Sequence, residues 1–128
     1  MKQWRWIDWA FVAVGVFFFG GGAVFHAIAF FKPDISEPMP QWLHEVFVFV
    51  NLFFAVCFVR RVKWVAWPFA VLTAQQAWQH GGAFIAALRE TPPHFDAQSF
   101  FALLGLVVVW VLIVIRARMD AAKPAVAA

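Results

Sequence analysis

The chain has 128 residues, of which 64% are hydrophobic and 13% charged, and its formal net charge is +3. A soluble domain of this size could not keep seventeen Phe and eight Trp from water, so the composition predicts an integral membrane protein. The positive charge is clustered at the ends of apolar runs and no nucleic-acid motif accompanies it, which favours anionic lipid head groups over RNA or DNA as its partners.

The first two predicted spans flank a proline-containing loop. The first span runs from about Trp4 to Phe31, which at ~1.5 Å per residue is enough to cross a hydrocarbon core of ~30 Å. The stretch from Lys32 to Pro40 contains three prolines, which cannot continue a helix, so we expect an exposed loop there. The second span is predicted over residues 41–59.

A basic turn and a proline pair bound the third and fourth spans. The turn Arg60-Arg61-Val62-Lys63 leads into the third span, residues 64–88, which ends before Pro92-Pro93. Asp96 is well placed as the N-cap of a fourth span over residues 97–115. The sequence therefore predicts an all-α fold, a four-helix transmembrane bundle within residues 1–118, followed by a disordered tail at 119–128.

The distribution of Lys and Arg predicts the orientation of the bundle. The N-terminus, the second loop and the C-terminus together carry eight basic residues, whereas the first and third loops carry only Lys32 and Arg89. Short basic flanks stay on the cytoplasmic side, so we expect both termini in the cytoplasm, with the protein in a bacterial inner membrane.

Polar side chains inside apolar spans are the main functional signal. On span three, Thr73, Gln75, Gln76, Gln79 and His80 form one stripe at helical phase, and hydrocarbon offers such groups no hydrogen-bond partners. On span two, Gln41, His44 and Asn51 align, and on span one His26 shares a face with Gly15, Gly22 and Ala29. Span four, from Phe100 to Ile115, shows no polar side chain.

This pattern predicts an outward-facing polar pocket enclosed by spans one to three, with span four as a lipid-facing wall or an oligomer contact. The predicted ligand-binding residues are His80, Gln76, Gln79, Asn51 and His26. The alternative is that these side chains only tie helices together, through hydrogen bonds worth ~0.6 to 2 kcal/mol each, and the sequence leaves both interpretations open.

The order of certain features resembles the DoxX-like membrane proteins. These features are Lys32 closing span one, Glu45 early in span two, the turn Arg60-Arg61, and His80 late in span three, and the resemblance covers roughly residues 10 to 115. That family includes small subunits associated with quinone-linked respiratory oxidation. The resemblance implies a redox-associated membrane partner for this chain.

Three functional hypotheses follow. The first is a small accessory subunit of a redox or respiratory-type complex, which binds a quinone-like or other small ligand among Phe and Trp side chains. The second is a haem b or metal-ion protein that uses two of His26, His44 and His80 as ligands, with Glu45 as a candidate further ligand. The third is a small transporter, for which a homo-oligomer would form the path.

A catalytic role of its own is not supported by any motif. The hydroxyl groups within the predicted spans belong to Thr73 and Ser99, and neither shows an evident base or acid partner in sequence. Cys57 is the only cysteine and lies in an apolar run, so we expect neither a disulfide nor a thiolate-bound metal cluster.

Overall fold

The computed structural model describes residues 5–32 and 39–122, and every regular element in these ranges is a helix. The elements are α1 (Trp6–Ala13), a π-helical segment (Val14–Gly20), α2 (Gly21–Phe31), α3 (Gln41–Val59), a 3-10 turn (Lys63–Val65), α4 (Ala66–Arg89) and α5 (Ala97–Ala121). The all-α prediction is confirmed. The chain divides into two compact units, Met1–Val65 and Ala66–Ala128, which are described separately below.

Some predicted boundaries fall outside the described residues, namely the start of the first span at Trp4, the loop residues 33–38 and the tail residues 123–128. The tail prediction is corrected at its beginning, because α5 continues to Ala121 and residues 119–121 are helical. The helix persists because no proline or glycine follows Gly105 before Pro124, and because Arg116 Nε lies 3.9 Å from Asp120 Oδ2 one turn later.

Three helices, rather than the four predicted, are long and apolar enough to cross a membrane: Trp6–Phe31, Gln41–Val59 and Ala97–Ala121. The first of these comprises α1, the π-helical segment and α2 without interruption. Helix α4 has sufficient length at 24 residues. Its three glutamines, together with Thr73 and His80, make it too polar to meet the same standard.

The outer faces of the helices carry large apolar side chains. A soluble protein of this size does not expose apolar surface on this scale, whereas lipid chains would cover it. The architecture therefore supports a membrane protein with a helix-bundle fold. The most exposed of these side chains include those of Phe17, Phe31, Trp67, Val71 and Trp78.

Aromatic rings fill the contact between the first long helix and α3 in the first unit. Phe11 stacks on Phe58 with ring centroids 5.1 Å apart, and Phe19 lies 5.2 Å from Phe54 and 5.1 Å from Phe58. Nearer the loop, His26 stacks on Phe47 at 5.0 Å. This order along the two helices shows that they run antiparallel, as expected for a helical hairpin.

The π-helical segment explains how one face of the first helix stays against α3. Along the first long helix, buried residues occur at every fourth position from Ile7 to Ala23, namely Ile7, Phe11, Gly15, Phe19 and Ala23. In an α-helix of ~3.6 residues per turn, positions four apart drift steadily around the axis. A π turn holds more residues, so it offsets this drift and keeps Phe11, Gly15 and Phe19 against α3.

Two glycines allow the helices of this hairpin to approach closely. A Cβ built on Gly15 would lie 2.9 Å from the carbonyl oxygen of Ala55, and one built on Gly22 would lie 2.6 Å from Asn51 Oδ1. The small residues on this face thus permit close packing of the two helices. Asn51 is held in place because its Nδ2 donates a hydrogen bond of 2.8 Å to the carbonyl oxygen of Phe47.

An ionic cluster closes the opposite end of the hairpin. The Asp8 carboxylate lies 3.5 Å from Arg5 Nε and 3.6 Å from Arg61 Nη1. Arg61 has a φ of 56°, and the amides of Arg61 and Val62 donate to the carbonyl oxygens of Phe58 and Cys57. This is the Schellman ending of a helix, in which glycine usually occupies the left-handed position.

The second unit is the hairpin of α4 and α5. Phe69 packs on Trp110 with centroids 5.4 Å apart, and Phe84 contacts Phe95 and Phe100 at the loop end. Asp96 Oδ1 accepts a hydrogen bond of 3.0 Å from the Ser99 amide, which confirms the predicted N-cap of the fourth span.

We expect Gly22→Ala to destabilise the first hairpin by about 1 to 3 kcal/mol, because the new methyl group displaces the Asn51 amide. The matched control is Gly21→Ala, since a Cβ at Gly21 meets no atom within 4 Å. Denaturant titration in mild detergent measures both variants. Equal stability of the two would show that the contact between Gly22 and Asn51 is not tight.

Candidate functional site

His80 is hydrogen-bonded to the beginning of α5. Its Nδ1 lies 3.1 Å from Ser99 Oγ, and Ser99 is 0% exposed. The pocket expected from the sequence was formed by spans one to three only. Ser99 was not predicted as a partner of His80, because it lies in the first turn of span four, which was expected to be a lipid-facing wall or an oligomer contact. Contact with α5 favours a helix-tying role for the Nδ1 atom of His80.

The grouping of Ser99, His80 and Asp96 differs from a nucleophilic triad. In a triad the carboxylate binds and orients the imidazole, whereas here Asp96 hydrogen-bonds to Ser99. The Ser99 hydroxyl is also fully buried, so a substrate carbonyl has no access to it. This arrangement is suited to holding α5 against α4 at the start of the helix.

Thr73 forms a second hydrogen bond between the same two helices. Its Oγ1 donates to the Phe69 carbonyl at 2.8 Å and accepts a bond of 2.9 Å from Trp110 Nε1. The expectation that the stretch from Phe100 to Ile115 offers no polar group is therefore wrong. The Trp110 indole is largely apolar but carries one N–H donor, which needs a partner when it is buried.

The three glutamines of α4 form a separate group, which we call the amide face. Gln76 Nε2 donates to Gln75 Oε1 at 2.6 Å, and Gln75 Nε2 donates to Gln79 Oε1 at 2.8 Å. The single stripe predicted from helical phase thus divides into two sets. Thr73 and His80 bond to α5, whereas the glutamines bond to one another on the surface of α4.

The amide face borders an open depression on α4. Gln75, Trp78, Gln79, Gly81 and Gly82 are among its lining residues. A Cβ added at either glycine would meet no atom within 4 Å, so neither glycine serves a close helix contact among the described residues. The Trp78 ring is 86% exposed beside them. The depression therefore combines bare backbone, an aromatic ring and amide groups.

In the first unit, two predicted metal ligands lie together. His26 Nδ1 and His44 Nδ1 are 3.1 Å apart, and His44 is only 2% exposed. A hydrogen bond between two imidazoles requires one ring to donate and the other to accept, so the two neutral rings must carry their protons on different nitrogens. Helical phase could not reveal this pairing, because it does not tell which faces of two helices meet.

The remaining predicted site residues are distributed as follows. Asn51 packs against Gly22 in the first unit, Glu45 is exposed on α3, and His94 Nδ1 lies 3.2 Å from Glu90 Oε2 in an exposed pair. Across residues 5–32 and 39–122, no three or more His, Cys, Asp and Glu side chains are grouped closely enough to hold a metal ion.

A double-mutant cycle tests whether His80 ties the helices together. We expect His80→Leu to cost about 1 to 3 kcal/mol in the second hairpin, because it removes a partner of the buried Ser99 hydroxyl. Ser99→Ala should reduce stability less in the His80→Leu background than in wild type, with a coupling energy of at least ~0.5 kcal/mol. Stability in detergent is the measurement, and purely additive effects would contradict the contact.

The pH dependence of the second hairpin should reflect Asp96. Hydrogen bonds from the Ser99 side chain and backbone hold the pKa of Asp96 below its ordinary value of 3.8, and the nearby His80 acts in the same direction. A carboxylate whose pKa is lowered in the folded state contributes stability above pH 3.8. This contribution is lost as the pH falls through the pKa of the folded state. Between about pH 6 and pH 3, wild type should therefore lose more stability than Asp96→Asn, which keeps the cap. Parallel unfolding curves for the two proteins would contradict this role.

Comparison with known proteins finds no matching family model, no matching curated protein and no matching solved structure. The similarity to DoxX-like proteins therefore stays a prediction, based on Lys32, Glu45, Arg60-Arg61 and His80.

Proposed function

We propose that this chain is a small, non-catalytic membrane subunit of a redox or respiratory-type complex, and that the amide face of α4 binds a quinone-like ligand. In this proposal α4 is the fourth membrane crossing. Its 24 residues are sufficient for that length, and hydrogen bonds to α5 satisfy Thr73 and His80. The count of eight basic residues against two supports cytoplasmic termini in a bacterial inner membrane.

The observation that carries this proposal is the hydrogen-bonded chain of glutamine amides. Hydrocarbon cannot solvate primary amides, so polar groups at membrane depth face protein, a ligand or a wet cavity. Among the described residues, the hydrogen bonds of Gln75, Gln76 and Gln79 are to one another. This arrangement uses only part of their capacity, since each amide has two N–H donors and one oxygen that can accept two bonds.

The two amides that line the depression match both redox forms of a quinone. Gln79 Nε2 can donate to a quinone carbonyl, and Gln75 Oε1 can accept a second bond from a quinol hydroxyl, because the two bonds between the amides leave this capacity unused. The exposed Trp78 ring and the bare backbone at Gly81 and Gly82 provide a flat apolar surface for a planar ring. An aromatic surface with a few placed polar groups is typical of sites for such ligands.

The test is equilibrium binding of a short-chain ubiquinone to the full-length protein in mild detergent, with retention on immobilised protein as the readout. Gln79→Leu should weaken binding roughly three- to tenfold, as expected for one lost hydrogen bond. Gln98→Leu is the matched control, because Gln98 is exposed in the first turn of α5 and lies outside the depression.

Two results would contradict the proposal. One is the absence of saturable ubiquinone binding by wild type. The other is an equal loss of affinity in Gln79→Leu and Gln98→Leu, which would point to a general effect of apolar substitution on the detergent-solubilised protein.

A further inference from the structure

The Nδ1 atoms of His26 and His44 are close enough together to be bonded to one metal ion. Each imidazole presents Nδ1 to the other at 3.1 Å. Histidine nitrogens bind Zn²⁺ at ~2.0 to 2.1 Å, and at that bond length two nitrogens 3.1 Å apart subtend about 100° at the metal. This angle lies between those of square and tetrahedral coordination. An ion bonded to both nitrogens at that length would lie about 1.3 Å off the line that joins them, so each ring would turn toward the ion on binding.

The surrounding side chains hold both rings in this orientation. His26 stacks on Phe47, with ring centroids 5.0 Å apart and an interplanar angle of 21°, and Phe25 contacts it edge-on. His44 is fixed by burial within α3. Packing thus keeps the two nitrogens close together before an ion binds, which reduces the entropy lost on binding.

The pair lies near the loop end of the first hairpin. His44 is three residues from the start of α3, which is ~4.5 Å of helical rise. At the same end of the hairpin, Gln41 Nε2 donates a hydrogen bond of 2.7 Å to the Phe30 carbonyl, and Gln41 is exposed. Water that reaches an ion from this end would supply its remaining ligands.

We propose that His26 and His44 form a two-histidine binding site for a divalent ion of the borderline class, such as Cu²⁺ or Zn²⁺, with water as the remaining ligands. Imidazole suits these ions better than Mg²⁺ or Ca²⁺, which prefer oxygen ligands. This site is formed by residues of the first unit alone, whereas the amide face belongs to the second unit. The proposal therefore does not depend on the proposed quinone function.

The experiment uses Cu²⁺ as the probe, because it binds most tightly among the divalent first-row ions. The full chain, purified with a tag that contains no histidine and stripped with a chelator, is titrated with Cu²⁺ in mild detergent. We expect one tightly bound ion per chain, with an electron paramagnetic resonance spectrum that shows two imidazole nitrogens.

Variants assign the bound ion to the pair. His26→Gln and His44→Gln should each weaken Cu²⁺ binding by at least tenfold, which is the smallest loss typical when even an outer-shell partner of a metal is removed. His94→Gln is the control, because His94 is an exposed histidine in the loop between α4 and α5. It should bind Cu²⁺ as wild type does. The wild-type spectrum requires no variant and so remains informative if a substitution unfolds the hairpin.

The result that would overturn the proposal is an unchanged Cu²⁺ affinity in either His26→Gln or His44→Gln. The proposal would also be overturned if wild type bound no Cu²⁺ tightly, or if the spectrum of wild type showed a single histidine nitrogen. In each of these cases the close approach of the two rings would be a hydrogen bond that joins the helices and nothing more.

Discussion

This structure depends on one constraint, which is that polar side chains must be hydrogen-bonded where water is scarce. Each hairpin meets it with pairs of groups from two different helices. In the first unit these pairs include Asp8 with Arg61 and His26 with His44. In the second they are Thr73 with Trp110 and His80 with Ser99. Such pairs fix the register of the helices, because a shift by one turn would leave each group unsatisfied.

Between these polar pairs, the helices of the first unit are held by shape. Lipid chains are as apolar as the helix surfaces, so burial alone gives little preference for helix contact over lipid contact. Helix contact is favoured over lipid contact by the close packing of aromatic rings and by the absence of a side chain at Gly15 and Gly22. The π-helical segment extends this contact, since it keeps residues at every fourth position on one side of the helix.

Sequence periodicity predicted the helices well and their partners poorly. The boundaries of α3 and the cap at Asp96 followed from proline, charge and capping patterns, which act locally. The contact between His80 and Ser99 joins residues of different helices, and helical phase gives the face of a residue without the identity of its neighbour. The donor role of Trp110 was missed because Trp was counted among the hydrophobic residues, although its indole carries one N–H donor.

The left-handed backbone at Arg61 has a consequence for how the first hairpin assembles. A glycine would adopt a φ of 56° without strain but could not reach the Asp8 carboxylate. Asp8 enters the chain about fifty residues before Arg61, so during synthesis its charge has only the neighbouring Arg5 as a partner. The first helix thus reaches its final electrostatic environment only when the chain has been made as far as Arg61, just beyond α3.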